Sequence, residues 1–438
     1  MKWILLMAIS VGALLLLART SSPSQSESIS VAELQLLEYI DSHTEEAIAL
    51  LERVVNINSG TMNQEGVREV GQVFRSELDA LGFKTNWIPM DSVNRAGHFM
   101  AERHGNRGKS LLLIGHLDTV FERDSPFQRF ERQDSVATGP GVEDMKGGIV
   151  VILYALKALY AAGALEDTSI TVFLTGDEED TGDPLSLSRG DLLEAARRSQ
   201  VALGFEGGVG GTGSATVARR GFTGWELRVT GKPAHSSQIF NEEFGSGAIY
   251  EAARILKTFY EELRGEEYLT FSPGIILGGT TAEYDAVQSR GAAFGKTNVI
   301  PETVVVAGDL RFISEEQRER AKTRMRTIVA QNLPLTSATV TFQDSYPAMS
   351  PTPGNYALLR QLDQVSQELG FGSVKAVDPG LRGAADVSFV APFLDALDGL
   401  GVVGSGGHTV EEAVDLTSLP IMAKRAAIFI YRLTREED

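Results

Sequence analysis

The chain has 438 residues, 43% hydrophobic and 22% charged, with a formal net charge of −18. That is enough apolar material for a large core in two or three domains, and the acidity argues against nucleic acid or an anionic lipid surface as partner. There is no cysteine, which excludes disulfides, thiolate nucleophiles and cysteine-ligated metal.

Taken in chain order, the N-terminus reads as an export signal. Lys2 precedes an uncharged run over residues 3–18, and a polar stretch from Arg19 follows. The run is slightly short for a spanning helix and suits a signal-peptide core. No Ala-x-Ala cleavage site follows, so an uncleaved anchor stays open. Residues 1–30 are thus a signal peptide or N-terminal anchor. The rest is expected to be exported, periplasmic or secreted, touching a membrane only through that segment.

Helices and strands then alternate over 31–217. Residues 33–55 and 66–81 carry apolar positions at helical spacing, the second stretch stopping at Gly82. Residues 111–114, 170–174 and 201–205 are short apolar strands, and 147–159 a buried helix. Strands apolar throughout and separated by helices predict an α/β domain with a mostly parallel sheet covered on both faces. Ligands of such sheets bind beyond the carboxyl ends of the strands.

The pattern changes at Gly221. Trp225, Leu227 and Val229 alternate with polar residues, as in a one-sided strand. A helix over 244–263 and strands over 268–277 and 302–312 follow. Ser314 and Gln317 form a capping box that opens a helix to about 332, and 338–343 is a last strand. The order β-α-β-β-α-β predicts a ferredoxin-like insert. The domain reading is therefore 31–217 and 346–438 for a catalytic domain, interrupted by a lid and dimerisation domain over 218–345.

Five motifs carry chemistry. His116 and Asp118 flank Leu117, so on an extended backbone both point to one side. Asp118 can then accept the spare ring N–H of a metal-binding His116; its plainer reading is a helix cap. Asp144, in Gly-Val-Glu-Asp-Met-Lys-Gly-Gly, either bridges two ions or caps the helix behind it. Glu178 and Glu179 are adjacent and repel, which suits one metal ligand beside one base; a solvated acidic loop is the competitor. Glu206 ends an apolar strand before two glycines. His408 lies in Gly-Ser-Gly-Gly-His-Thr, one of six histidines. Most of these follow strand ends, and together they make a pocket for one or two zinc-like ions.

In that order the motifs resemble the di-zinc exopeptidase and deacylase family of glutamate carboxypeptidase, acetylornithine deacetylase, succinyl-diaminopimelate desuccinylase and aminoacylase, with glutamate carboxypeptidase nearest. The likeness extends to Thr-Gly-Lys-Pro-Ala-His-Ser-Ser at 230–237, to Asn-Val-Ile-Pro-Glu at 298–302 and to Gly-Asp-Leu-Arg-Phe at 308–312. It implies a zinc-exopeptidase fold holding two Zn2+ per subunit, with Co2+ or Mn2+ as alternatives. Asp144 would bridge them, with His116 and Glu206 on one ion and Glu179 and His408 on the other. Glu178 would be the base, Asp118 the orienter of His116, and the Asp144–Met145 peptide cis. His235 would stabilise an oxyanion, often in the partner subunit's site, within a homodimer. Asn298 and Arg311 would contact the substrate carboxylate.

The chain departs from the family at Arg382-Gly-Ala-Ala-Asp386. Gly383 stays at the substrate pocket, but Ala384 and Ala385 replace the usual Gly-Ser/Thr, so a hydroxyl is missing. The expectation is a di-zinc hydrolase that releases a C-terminal amino acid, glutamate being one candidate, from small peptides or N-acyl amino acids. The alternatives are an aminoacylase or aminopeptidase of the same family, or a non-catalytic exported binding protein.

Overall fold

In the computed structural model the main sheet has six strands. Their spatial order is Lys84–Met90, Arg95–Arg103, Thr168–Thr175, Arg107–His116, Val201–Gly204 and Asp395–Leu397. The last four pair in parallel, and an antiparallel hairpin of the first two closes one edge. The description covers residues 29–286 and 288–436. The expected signal peptide or anchor at 1–30 thus lies, except for Ile29 and Ser30, outside the described residues. Among the described residues no helix is long and apolar enough to cross a membrane.

The predicted apolar runs are strands buried on both faces. Leu111 and Leu113 join a cluster with Ile149, Leu153 and Ile428 from the Lys146–Ala161 and Ser418–Leu433 helices. Leu112 and Ile114 point the other way, into a cluster with Phe173, Leu192 and Val390. Period-two alternation of Cβ directions makes both faces apolar when helices cover both. The expected helix over 33–55 is two helices, Val31–Ser42 and Thr44–Val55, meeting at His43; Ser30 closes a capping box on the first. No sequence breaker marks His43, so periodicity alone ran through it.

The second sheet has the order Thr270–Gly279, Thr303–Phe312, Gly221–Gly231 and Thr336–Asp344, all antiparallel. The Gly247–Leu263 and Glu315–Val329 helices cover one face through Trp225, Leu227, Ile255, Phe259 and Met325. This is the ferredoxin-like arrangement, with one addition that the sequence reading missed, a largely exposed hairpin of Thr281–Asp285 and Arg290–Phe294. A further small sheet joins Ala413–Asp415 to Val136–Thr138 and to Gly404–Ser405, bringing the His408 loop beside the Asp144 loop.

The two glycines of the Asp-Met-Lys-Gly-Gly motif let a helix sit on a strand end. A Cβ at Gly148 would lie 1.9 Å from the carbonyl oxygen of Phe205, the residue before Glu206. Gly148→Ala should therefore cost about 1–3 kcal/mol in denaturant unfolding, despite alanine's roughly 1 kcal/mol better helix propensity. Gly190→Ala, where the added Cβ meets nothing within 4 Å, should stay within about 0.5 kcal/mol of the parent.

Candidate metal centre

Three strands of the main sheet end at one rim. The Arg107–His116 strand ends on His116, Thr168–Thr175 leads to Glu178 and Glu179, and Val201–Gly204 leads to Glu206. Asp144 arrives from the turn before the Lys146–Ala161 helix, where the Asp144–Met145 peptide is cis. His408 comes from the loop between Gly404–Ser405 and Ala413–Asp415.

Asp144 stands at the centre. Its Oδ1 lies 3.1 Å from His116 Nε2, and its Oδ2 lies 3.1 Å from His408 Nε2. Glu206 Oε1 is 3.7 Å from His116 Nε2, and Glu179 Oε2 is 3.2 Å from His408 Nε2. One carboxylate thus separates two His–Glu pairs. Ligand atoms of His116, Asp144 and Glu179 all lie within 4.8 Å of one another.

The ring of His116 says what this arrangement needs. Its Nδ1 lies 3.0 Å from the main-chain carbonyl of Asp118, which can accept only. A neutral ring therefore keeps its proton on Nδ1 and turns the Nε2 lone pair toward Asp144 and Glu206. Lone pair against carboxylate demands a proton or a cation between them. Two imidazoles and three carboxylates, without thiolate, form a donor set for Zn2+, Co2+ or Mn2+, and the shared Asp144 fits a pair of ions.

Charge crowding shows in the titrating groups. Burial lifts Glu178 well above the usual carboxylate range; His116 draws it down, while Glu206, Asp386 and Glu179 push it further up. Burial and Asp144 bring Glu206 up to about 7. Bonds to Asp144 and Glu179 raise His408 to about 11. Burial opposes ionisation of Asp144, but its bonds to both histidines hold it well below the usual range. The Glu178 carboxylate accepts no hydrogen bond among the described residues. Its backbone is held instead, its N–H donating to Asp118 Oδ1 at 3.0 Å and its carbonyl accepting from Tyr346 Oη at 2.8 Å.

Asp118 differs in detail from the expected geometry. Its carboxylate lies 3.5 Å from His116 Nδ1, farther than its own carbonyl. That carboxylate accepts the backbone N–H of Glu178 and of Glu179 and the hydroxyl of Thr61 at 2.7 Å. It therefore positions the Glu178–Glu179 turn as much as the histidine.

Four predicted residues stay apart from this cluster. His235 and Asn298 are exposed neighbours on the second sheet's domain, where the N–H of Ser236 donates to the Asn298 carbonyl at 2.9 Å. Arg311 donates from Nε to Asp309 Oδ2 at 3.0 Å and stacks over Phe222. Gly383 presents its carbonyl to Arg219 Nη1 at 3.1 Å. Among the described residues no hydrogen bond or ion pair links His235, Asn298, Arg311 or Gly383 to the five donors.

The sequence reading missed the supports. Buried Glu412 accepts the backbone N–H groups of Gly141, Glu143 and Asp144 at 2.9, 2.8 and 3.0 Å. It sits four residues past His408, and nothing in Thr-Val-Glu-Glu separates it from a surface acid. Buried Arg189 pairs with Asp177 at 2.5 Å and Asp386 at 2.7 Å behind the Glu178 turn. Arg219 pairs with Asp398 at 2.5 Å and stands 3.9 Å from Glu206.

Comparison with known proteins points to one family. The sequence profile of Peptidase family M20/M25/M40 matches residues 112–432. Carboxypeptidase G2 of Pseudomonas sp. (strain RS-16) is 28% identical over 392 residues, covering 88% of this chain and 89% of that protein. Succinyl-diaminopimelate desuccinylase of Magnetococcus marinus is 24% identical, covering 86% and 95%. A dinuclear metal-binding M20 peptidase of Bacillus subtilis shares the fold, with a TM-score of 0.63 at 14% identity, over 90% of this chain and 98% of that one.

Removing Glu412 leaves three backbone N–H groups without an acceptor and frees the loop that carries Asp144. Glu412→Ala should weaken metal retention by about 10–100-fold in chelator competition, with far-UV circular dichroism unchanged. Parent-like retention would show that Glu412 does not hold the Asp144 loop.

Proposed function

Because the chain belongs to peptidase family M20/M25/M40, and so is a metallopeptidase, we propose that it is a two-ion carboxypeptidase-type hydrolase. Its substrate would be a small peptide or N-acyl amino acid, from which it releases the C-terminal residue, glutamate being one candidate. The observation that carries this reading is Asp144, flanked by His116 and His408, beside a Glu178 carboxylate that accepts no hydrogen bond among the described residues. The likeness to Carboxypeptidase G2 over most of both chains supports the carboxypeptidase assignment.

Asp144 would bridge two Zn2+, Co2+ or Mn2+ ions, with His116 and Glu206 completing one site and Glu179 and His408 the other. Bound ions of this kind lower the pKa of water to about 7 and polarise the scissile carbonyl. Glu178 would take the proton of the attacking water and return it to the leaving nitrogen. Its carboxylate, held well above the usual carboxylate range by burial, suits a group that must both accept and donate a proton. Asp118 fixes the Glu178 N–H through its carboxylate and the ring of His116 through its main-chain carbonyl.

The lid residues complete the reading. His235 would stabilise the oxyanion from the partner subunit of a homodimer, and Asn298 and Arg311 would receive the terminal carboxylate. Both imply that the lid closes onto the rim, since His235 and Asn298 are exposed. The protein would act outside the cytoplasm, carried there by residues 1–30.

Glu178→Gln should keep full metal content and lower kcat by about 10²–10⁴ on N-acyl-glutamate; near-parental turnover would remove Glu178 as the base. Arg311→Ala should raise KM at least tenfold for substrates with a free terminal carboxylate, and unchanged kinetics would favour an aminopeptidase. Chelation should abolish hydrolysis, and Zn2+, Co2+ or Mn2+ should restore it.

A further inference from the structure

Arg382 lies in a loop that two consecutive arginines pin beside the metal-site rim. Arg219 Nη1 donates to the carbonyls of Gly383 and Ala384 at 3.1 and 3.2 Å. Arg220 Nη2 donates to the Gly380 carbonyl at 3.2 Å. The same Arg219 guanidinium stands 3.9 Å from Glu206, so the loop borders one of the two His–Glu pairs.

The Arg382 guanidinium itself finds no partner among the described residues. It makes no hydrogen bond or ion pair among the described residues, and its Nε is buried and unsatisfied. Burial and the neighbouring Arg219 charge hold it below the usual arginine range, with Asp398, Glu206 and Glu143 close enough only to attract it. Asp398 is engaged by Arg219 through Oδ2 and turns its Oδ1, which makes no hydrogen bond among the described residues, against Gly204, while Glu206 faces His116. Ala384 and Ala385 offer no side-chain acceptor. The space beside the loop is open, for a Cβ at Gly383 would meet nothing within 4 Å.

A half-buried guanidinium without an anion is costly, and its planar fork matches a carboxylate. We propose that Arg382 anchors a second substrate carboxylate, one beyond the terminal carboxylate assigned to Arg311, making the preferred substrates dicarboxylic. This rests on the carboxypeptidase reading above. The second carboxylate could belong to the acyl half or to the side chain of the leaving residue; the chemistry at Arg382 is the same.

Three compounds separate these cases: N-acetyl-alanine with one carboxylate, N-succinyl-alanine with a second on the acyl half, and N-acetyl-glutamate with a second on the leaving residue. Their binding is measured calorimetrically on Zn2+-loaded protein carrying Glu178→Gln, with Arg382 intact, Arg382→Ala or Arg382→Lys. With Arg382 intact, one dicarboxylate should bind roughly tenfold or more tighter than N-acetyl-alanine, and which one identifies the half that is read. Arg382→Ala should remove most of that ratio, and Arg382→Lys should recover part of it in a variant that keeps the charge. No preference, or a ratio that Arg382→Ala leaves unchanged, overturns the proposal and makes Arg382 a counter-charge of the rim. A preference that follows Arg382, in a parent protein that hydrolyses none of the three, would uphold the anchor and sink the carboxypeptidase reading instead.

Discussion

Four carboxylates, Asp144, Glu178, Glu179 and Glu206, converge on one rim, and the structure behind the rim exists to hold that like charge together. Dispersed in an unfolded chain they would repel one another through water. Gathered and buried, three of them move toward protonation. The fold holds the turns that carry them by their main-chain N–H groups. Asp118 gathers the backbone N–H groups of the Glu178–Glu179 turn, and Glu412 gathers three from the Asp144 loop. Each of these two is itself an acid, so the site is built from two layers of carboxylate stitched by main-chain amides.

Cations stand in a third layer. Arg189 spans Asp177 and Asp386 under the Glu178 turn, and Arg219 spans Asp398 and the edge of Glu206. Breaking one partner of such a buried pair strands the other, which is why these arginines act as a rigid floor. The same floor explains why a divalent ion suits the rim. Guanidinium groups neutralise the outer acids, while the inner ones keep oxygens and imidazole lone pairs turned toward one centre.

The antiparallel sheet is tied to this floor through the chain that leaves it. Tyr346 follows the Thr336–Asp344 strand by two residues and donates its hydroxyl to the carbonyl of Glu178. Its ring lies 4.9 Å from that of Phe389 in the second core cluster. The crossing between the two sheets is therefore also a strut of the turn that carries the proposed base. His235 and Asn298, expected from the sequence to act on the substrate, lie exposed on the domain of the antiparallel sheet.

Local pattern determined a great deal. Apolar runs bounded by glycine and polar residues announced the parallel strands, because a strand buried on both faces has no polar side to show. Period-two alternation around Trp225 announced the one-sided sheet. His116, Asp144, Glu178, Glu179, Glu206 and His408 were legible because each sits in a short glycine-flanked motif at a strand end or loop, where the backbone must approach closely. The largely exposed hairpin at Thr281–Asp285 and Arg290–Phe294 was not legible, since exposed strands carry little hydrophobic signal. Tertiary structure alone decided which acids are supports. Glu412 meets Gly141 across 271 positions and Arg189 meets Asp386 across 197, and no window of sequence contains such pairs. It also decided that Arg382 stands without a partner among the described residues, because an arginine's isolation is a property of everything that surrounds it and not of its neighbours in the chain.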